Sequence, residues 1–548
     1  MNFTAQSKTT APYDNLPFRH RMMRVRHIFV CLILGFTSLS THAQEVDAYI
    51  HDTWSVLTRS THDCASLRDV KVSEEPILYL PTDIPYPKEI AELQHNCGVH
   101  VEYLPRRINF ISDVQPGELK RQGLLYLPNA YVVPGGRFNE MYGWDSYFII
   151  LGLLRDGQND LARGMVENFF FEIEHYGALL NANRTYYLTR SQPPLLAEMI
   201  RAIMDSQHPP DDLWLANAYE KATTDYSLWQ MSEHRAGTTG LTRYKDFGEG
   251  PVPEMADDND YYRDVIRWML DHKSVGAPYL IDASHTSNLT EIAALSCDIT
   301  RFYVCDHANI DNVRLTKSFY AGDRAMRESG FDTSFRFGPF SAGTTDFAPV
   351  CLNSLLYKYE LDMAEFARKL GRSQDVKTWQ ERALKRKRAM QKYLWNGKRF
   401  VDYNFATQRR SRYNYLTEFY PLWAGWATKQ QGTITEQHLS DYETEYGLAM
   451  STERSGMQWD DPFGWAPVEW FAVKGLLAYR DNRDTQRIAR KYIGVVNANF
   501  LREHTIREKY DMATGSSEVQ VTTGYKSNSA GFGWTNGVYR EFESIVPR

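Results

Sequence analysis

Apolar positions along this chain recur at helical spacing in paired segments. Tyr147 to Arg155 is an apolar run of helical length, "DGQND" follows as a turn, and Leu161, Met165, Phe169 and Ile173 form a stripe at i, i+4 spacing. The two segments predict one antiparallel helical hairpin. Pro194 to Asp205 and Leu213 to Trp229 predict a second, joined by "SQHPPD". Leu352 to Leu370 and Val376 to Leu394 predict a third, with Gly371 as the break and Val376, Trp379, Ala383, Met390 and Tyr393 on one face. Glu469 to Tyr479 and Thr485 to Arg502, turned by "RDNRD", predict a fourth. Successive hairpins with no alternating strand pattern to match them predict an all-α toroid of paired helices rather than a parallel sheet. The segments "PGGRFNEMYGWD", "RSQPP" and "QWDDPFGWAP" each precede the first helix of a hairpin. If inner and outer helices alternate, all three emerge at one end and form a funnel lined with Arg, Asp, Gln and Trp.

The stretch from Asp246 to Arg327 breaks this rhythm and reads as a long excursion packed over the funnel. Composition then narrows the chemistry. The chain has 548 residues, 62 basic and 68 acidic, for a net charge of −6, which offers neither a basic field for nucleic acid nor an acidic tail. Its 34 Tyr, 27 Phe and 13 Trp lie beside Gly, Pro, Asp and Arg more than in apolar runs, as in a cleft lined with flat rings. Arg19, His20, Arg21, Arg24, Arg26 and His27 precede "IFVCLILGF" and "STHAQ", the pattern of a secretory signal cleaved after Ala43. Residues 1–43 are therefore expected to be a signal peptide and 44–548 a single catalytic domain, periplasmic or secreted, with no membrane segment in the mature form. The mature chain would keep Cys64, Cys97, Cys297, Cys305 and Cys351. A Cys64–Cys97 or a Cys297–Cys305 disulfide is permitted, but spacing does not choose the pairing. No C-x-x-C pair or His cluster has zinc spacing, so neither metal nor cofactor is expected.

Arg, Asn, Gln and carboxylates bind hydroxyls, Trp and Tyr stack on pyranose faces, and two acids in such a cleft can break a glycosidic bond. Taken alone, an Asp before Thr and Ser is ordinarily a helix cap, and a Glu before Lys is solvated surface. Their surroundings here are not ordinary. "PGGRFNEMYGWDSYF" and "QWDDPFGWAP" resemble the two signature motifs of the trehalase family of glycoside hydrolases. "HDTWSVLTR", "NRTYYLTRSQPP", "ESGFDTSFR", "FYPLWAG", "EKYD" and "GFGWTNGV" are similar to further family segments and follow in family order from about residue 46 to 540.

The resemblance implies an (α/α)6 barrel that cleaves the α,α-1,1 bond of trehalose into two glucoses by an inverting mechanism. It implies Asp332, in "SGFD", as general acid, with Phe331 where the family has Trp, and Glu508, in "REKYD", as general base. It implies sugar contacts at Arg137, Trp144, Asp145, Asn181, Arg190, Ser191, Gln192, Glu254, Gly330 and Trp459. Trp459 and Asp460 could equally close the barrel wall, Arg336 could pair with a barrel carboxylate, and Cys351 reads as a buried structural thiol. Two departures stand out: Val252, Pro253 and Glu254 replace the bacterial "RPE", removing an Arg, and "TTGYKSNSA" replaces a Glu-bearing loop near the C-terminus. Both concern sugar contacts, so hydrolysis of another α-glucoside by an exported barrel enzyme is the second reading. A sugar-binding protein without turnover is the third. The expected partner is a small disaccharide, with no nucleic acid, and the expected state is a monomer.

Overall fold

The computed structural model describes residues 44–68, 76–119, 121–252, 254, 260–284, 308–522 and 527–547. Its frame is a ring of helices. The principal helices introduced here are α1 (Lys88–Cys97), α2 (Gly143–Arg155), α3 (Asn159–His175), α4 (Leu196–Met204), α5 (Asp212–Leu228), α6 (Tyr261–Asp271), α7 (Lys317–Glu328), α8 (Val350–Lys369), α9 (Ser373–Tyr393), α10 (Tyr420–Trp423), α11 (Lys429–Gln437), α12 (Ala466–Ala478), α13 (Asn482–Glu503) and α14 (Gly533–Glu543). Among the described residues α2 packs on α4, α4 on α8, α8 on α10, α10 on α12, α12 on α14 and α14 back on α2, closing an inner circle of six. Helices α3, α5, α9 and α13 return outside α2, α4, α8 and α12. This is the (α/α)6 barrel, and each hairpin predicted from periodicity is present with ends shifted by a few residues.

Local chemistry explains the turns. Asp211 caps α5 by accepting from the Trp214 amide at 2.9 Å, and Asp481 caps α13 by accepting from the Asp484 amide at 3.0 Å. Gly371, between α8 and α9, takes φ +72°, a left-handed conformation that glycine adopts without strain. The ring closes tightly where α2 crosses α14. A Cβ on Gly537 would stand 2.0 Å from the Phe148 carbonyl oxygen, and one on Gly152 would stand 2.6 Å from Gly537 Cα.

Two parts of the fold are not simple hairpins. Strands β1 (Ile77–Leu80), β2 (His100–Tyr103) and β3 (Leu124–Leu125) form a parallel sheet with β1 central and α1 as the crossover between β1 and β2. Leu78, Leu80, Ile90, Val99 and Leu124 give this unit its own small core. Because β1 is buried throughout, its sequence "ILYL" carries no alternation, and periodicity does not reveal it. A disulfide joins Cys64 to Cys97 at the end of α1, while Cys297 and Cys305 lie outside the described residues. The described part of the excursion from Asp246 to Arg327 is more ordered than its sequence suggests. It contains α6, α7 and the antiparallel pair β4 (Leu280–Asp282) and β5 (Val313–Leu315), built on a core of Tyr261, Tyr262, Ile266, Phe319 and Tyr320. No helix among the described residues is long and apolar enough to cross a membrane.

Candidate active site

The segment that follows α7 carries Asp332 across the end of the ring where the inner helices begin. Gly330 takes φ +78°, and a Cβ there would lie 2.8 Å from the Trp144 ring, so both backbone and neighbour require glycine. Beyond it the chain is held by residues 455–460. The Gln458 side-chain amide donates to the Asp332 carbonyl, the Trp459 amide donates to the Thr333 carbonyl at 3.1 Å, and Asp460 accepts from the Phe335 amide at 2.8 Å. Arg336 then donates a two-pronged bond to Asp402, 2.8 Å in each arm, while Asp402 also accepts from the Val350 amide at the start of α8. Of the two readings of Arg336, the barrel carboxylate is the partner found. Cys351 is a buried free thiol 3.5 Å from that guanidinium.

Glu508 stands immediately before β7 (Lys509–Asp511), which pairs antiparallel with β6 (Phe463–Trp465). The Glu508 amide donates to the Ser529 carbonyl at 3.1 Å, and Trp534 Nε1 donates to the Glu508 carbonyl at 3.1 Å. The backbone is thereby fixed, and the carboxylate accepts from Lys509 Nζ at 3.4 Å through Oε2. Asp332 and Glu508 keep 24% and 14% side-chain exposure in a region where Asp145 and Trp144 are nearly closed off, as expected of two groups facing a cleft.

Burial pushes the Asp332 carboxyl up to about 7; Arg327, with Nη1 3.6 Å from Asp332 Oδ2, opposes the shift, and Glu254 adds to it. Asp145 is pushed well above the usual carboxylate range, by burial first and then by the charges of Glu508 and Asp332. The Lys509 ammonium, 3.4 Å from Glu508 Oε2, has its pKa lowered by burial against the attraction of Glu508 and Asp332. Asp145 and Lys509 thus each feel both carboxylates, which places the proposed acid and base in one electrostatic neighbourhood although 176 positions separate them in sequence (508 − 332).

Beside the acid lies a charged wall. Arg190 donates through Nε to Asn181 Oδ1 at 2.8 Å and through Nη2 to Glu254, and it stands 3.6 Å from Asp246. Burial disfavours charge on Asp246, yet Arg324 and Arg190 outweigh it and hold its carboxyl below the usual range. Glu254 Oε2 and Gln458 Oε1 are buried without a hydrogen-bond partner among the described residues, which leaves two acceptors that call for a donor. The other predicted contacts divide. Trp144 packs its ring against Phe331, Trp459 and Trp534 at 5.7, 5.9 and 5.8 Å between centroids, and Trp459 stacks on Trp465 at 3.9 Å and 4°. The Ser191 hydroxyl donates to the Leu179 carbonyl at 2.7 Å, and Gln192 Oε1 accepts from the Trp144 amide at 2.8 Å, so these two also support the loop that presents Trp144 and Asp145. Arg137 lies over the Phe138 ring at 4.5 Å.

Val252 is fully buried in the core of the excursion, and its amide N–H donates to the Tyr262 hydroxyl at 2.8 Å. Besides Arg190, Arg327 brings a guanidinium near Glu254 and Asp332, 4.0 Å from Glu254 Oε1 and 3.6 Å from Asp332 Oδ2. Arg327, Lys509 and Gln458 are neighbours of Asp332 and Glu508 that the motifs do not single out. Arg327 lies five residues before Asp332 on α7, and Lys509 adjoins Glu508, so proximity along the chain was the available signal.

Comparison with known proteins gives the same direction. A family model described as Trehalase matches residues 41–280 and 281–546. The chain is 35% identical over 550 residues to the cytosolic neutral trehalase of Saccharomyces cerevisiae, covering 89% of this chain and 69% of that protein. It is 33% identical to the cytosolic neutral trehalase of Kluyveromyces lactis with the same coverage. In structure it is similar to neutral trehalase Nth1 from Saccharomyces cerevisiae, with TM-score 0.74, 32% identity and coverage of 92% of this chain and 94% of that one. These relatives are named cytosolic, which overturns the expected periplasmic or secreted location and the signal-peptide reading behind it. A single short apolar run after basic residues is a weak pattern, and residues 1–43 lie outside the described ones.

Proposed function

The chain belongs to the trehalase family of glycoside hydrolases, and from that premise we propose that it hydrolyses α,α-trehalose to two glucoses by inversion, with Asp332 as general acid and Glu508 as general base. Asp332 gives its proton to the glycosidic oxygen as the C1–O bond breaks. Glu508 takes a proton from the water whose oxygen bonds C1 from the opposite face, so each turnover yields one α- and one β-glucose. The observation that carries this reading is the Asp332 carboxyl, pushed up to about 7 in a cleft that also holds Glu508 beside the Lys509 ammonium. One carboxyl keeps a proton near neutrality, and the other lies 3.4 Å from an ammonium group.

Arg190 and Glu254, with Arg137, Asn181, Asp145 and Gly330, are proposed to hold the sugar hydroxyls. Trp144 and Trp459 are proposed to shape the wall, with Ser191 and Gln192 at its edge. Residues 44–548 are proposed to act as one catalytic unit. Glucose hydroxyls carry no charge, so the arginine fork serves by directed hydrogen bonds and by keeping neighbouring carboxylates ionised. The burial of Val252 favours a second reading, an α-glucosidase of different specificity, because the guanidinium expected at that position is absent from it. Glucose release from trehalose, maltose, kojibiose and sucrose separates the two; the first reading expects trehalose to be strongly preferred.

The mechanism is tested by Asp332→Asn and Glu508→Gln, each expected to lower kcat by at least about 10³-fold in a folded protein, in line with loss of an acid or base whose effect is typically 10²–10⁴-fold. Proton NMR of the first turnovers should show α- and β-glucose in equal amounts. Only α-glucose, or a substrate complex with the two carboxyls about 5 Å apart rather than roughly 6.5–9.5 Å, would assign a retaining mechanism instead.

A further inference from the structure

Away from the cleft, the antiparallel ribbon Tyr403–Asn404 and Arg409–Arg410, with residues 411–413 and 335–338, encloses an open cavity of about 320 Å³. Asp332, Glu508, Arg190 and Glu254 are not among its lining residues. Arg409, Arg410 and Arg412 surround it, Phe335, Phe347 and Tyr413 provide ring surface, and no Asp or Glu lines it. Arg336 also reaches it, but its charge is already matched by Asp402.

The cavity sits in a strongly basic stretch. Residues 382–412 carry eleven Lys and Arg and one acid, Asp402, in a chain whose net charge is −6. Some of that charge is compensated: Arg386 by Glu360, and Arg399 by Glu418 and Asp441. The side chains of Arg409 and Arg412 make no hydrogen bond or ion pair among the described residues. Arg410 is fixed by donating through Nε to the Tyr393 carbonyl at 3.0 Å and through Nη2 to the Lys392 carbonyl at 2.7 Å, at the C-terminal end of α9. Three guanidinium groups on one concave surface repel each other when it is empty, and an anion relieves that repulsion. The forked donors of arginine match the oxygens of a phosphate. The volume stands at the lower end of small-molecule sites, enough for a monosaccharide-sized ligand, with ring faces for the sugar and the Asn404, Thr407 and Ser411 side chains for its hydroxyls.

We propose that this cavity is a second, non-catalytic site for a phosphorylated hexose. The inference rests on charge and shape at the cavity and does not depend on the assignment of Asp332 and Glu508. Calorimetric titration of the full chain at fixed ionic strength, with glucose 6-phosphate, glucose and inorganic phosphate as probes, tests it. Expected are saturable one-to-one binding of glucose 6-phosphate, at least tenfold tighter than either glucose or phosphate, and a loss of at least tenfold in the double variant Arg409→Ala, Arg412→Ala. Neither Arg is part of the catalytic machinery, so the variant should keep wild-type melting temperature and trehalose turnover. Absence of saturable binding overturns the proposal. So does binding retained in full by the double variant, which would locate the sugar phosphate in the cleft. Phosphate binding as tight as the hexose ester removes the sugar from the assignment. Retention of the wild type, but not the variant, on a heparin matrix without glucose 6-phosphate binding would make the surface a polyanion contact instead.

Discussion

Asp332 ties the stability of the fold to pH. Its ordinary pKa is 3.8 and burial raises it to about 7, so between those pH values the folded chain holds a proton that the unfolded chain has lost. The contribution is full below the unfolded value and disappears as pH rises through the folded one. At 1.36 kcal/mol per pH unit the limit is about 4 kcal/mol, and solvent reaching the cleft reduces this to the order of 2 kcal/mol. Asp332→Asn should therefore raise the melting temperature at pH 8 and leave it unchanged near pH 4, even as turnover is lost. An equal change at both pH values would show that ionisation is not its source. The partner prediction concerns Lys509, whose ammonium is 3.4 Å from Glu508, donates to the Ser527 carbonyl at 3.0 Å and lies over the Trp465 ring at 5.0 Å. Lys509→Met removes the charge and keeps much of the volume, so kcat/KM should fall by at least about tenfold, the scale of one lost hydrogen bond between charged groups. Lys509→Arg should restore it in part. An unchanged kcat/KM in the folded Met variant would deny Lys509 a part in holding Glu508.

Among elements, the crossing of α2 with α14 decides whether the barrel closes. Gly152 and Gly537 let the two helices meet backbone to backbone, and the Phe148 carbonyl occupies the place of a Cβ on Gly537. Gly537→Ala should cost about 3 kcal/mol or more, the upper range for overpacking, despite the better helix propensity of alanine. Its effect should extend to activity, because α2 begins with Trp144 and Asp145 while α14 begins with Trp534, whose indole holds the Glu508 carbonyl. Chemical denaturation and kcat/KM check both consequences. A variant as stable as the wild type would mean that the helices separate freely at this point.

For the whole molecule, the disulfide between Cys64 and Cys97 ties the residues that precede the parallel sheet to the end of α1 across 33 positions. A closed loop of that length restricts the unfolded chain by an amount worth roughly 3–4 kcal/mol in the chain-entropy treatment. Cys64→Ala together with Cys97→Ala should lower stability by about 2–4 kcal/mol and leave trehalose turnover at 25 °C close to wild type, since neither Cys is among the residues proposed for the cleft. Equilibrium unfolding with and without reductant checks it, and loss of turnover in a fully folded double variant would contradict this separation of staple from site.

The sequence by itself determined the barrel and the identity of its chemical groups. Helical hairpins follow from local spacing of apolar residues, as in Leu161, Met165, Phe169 and Ile173, and the ordered motifs around Arg137, Asp332 and Glu508 name the family, because both signals lie within short windows of chain. What local spacing does not hold is pairing across the molecule. The joining of Arg336 to Asp402, the choice of Cys64 for Cys97, the field of Glu508 acting on Asp145 and the approach of Arg327 to Glu254 each depend on distances between segments far apart in the chain. Strand β1 was hidden for the opposite reason: buried on both faces, it has no polar side to mark its period. Only tertiary structure decided these points, since burial and electrostatic interaction depend on which groups meet in space, and in this barrel the meeting place is the end of a ring assembled from hairpins hundreds of residues apart.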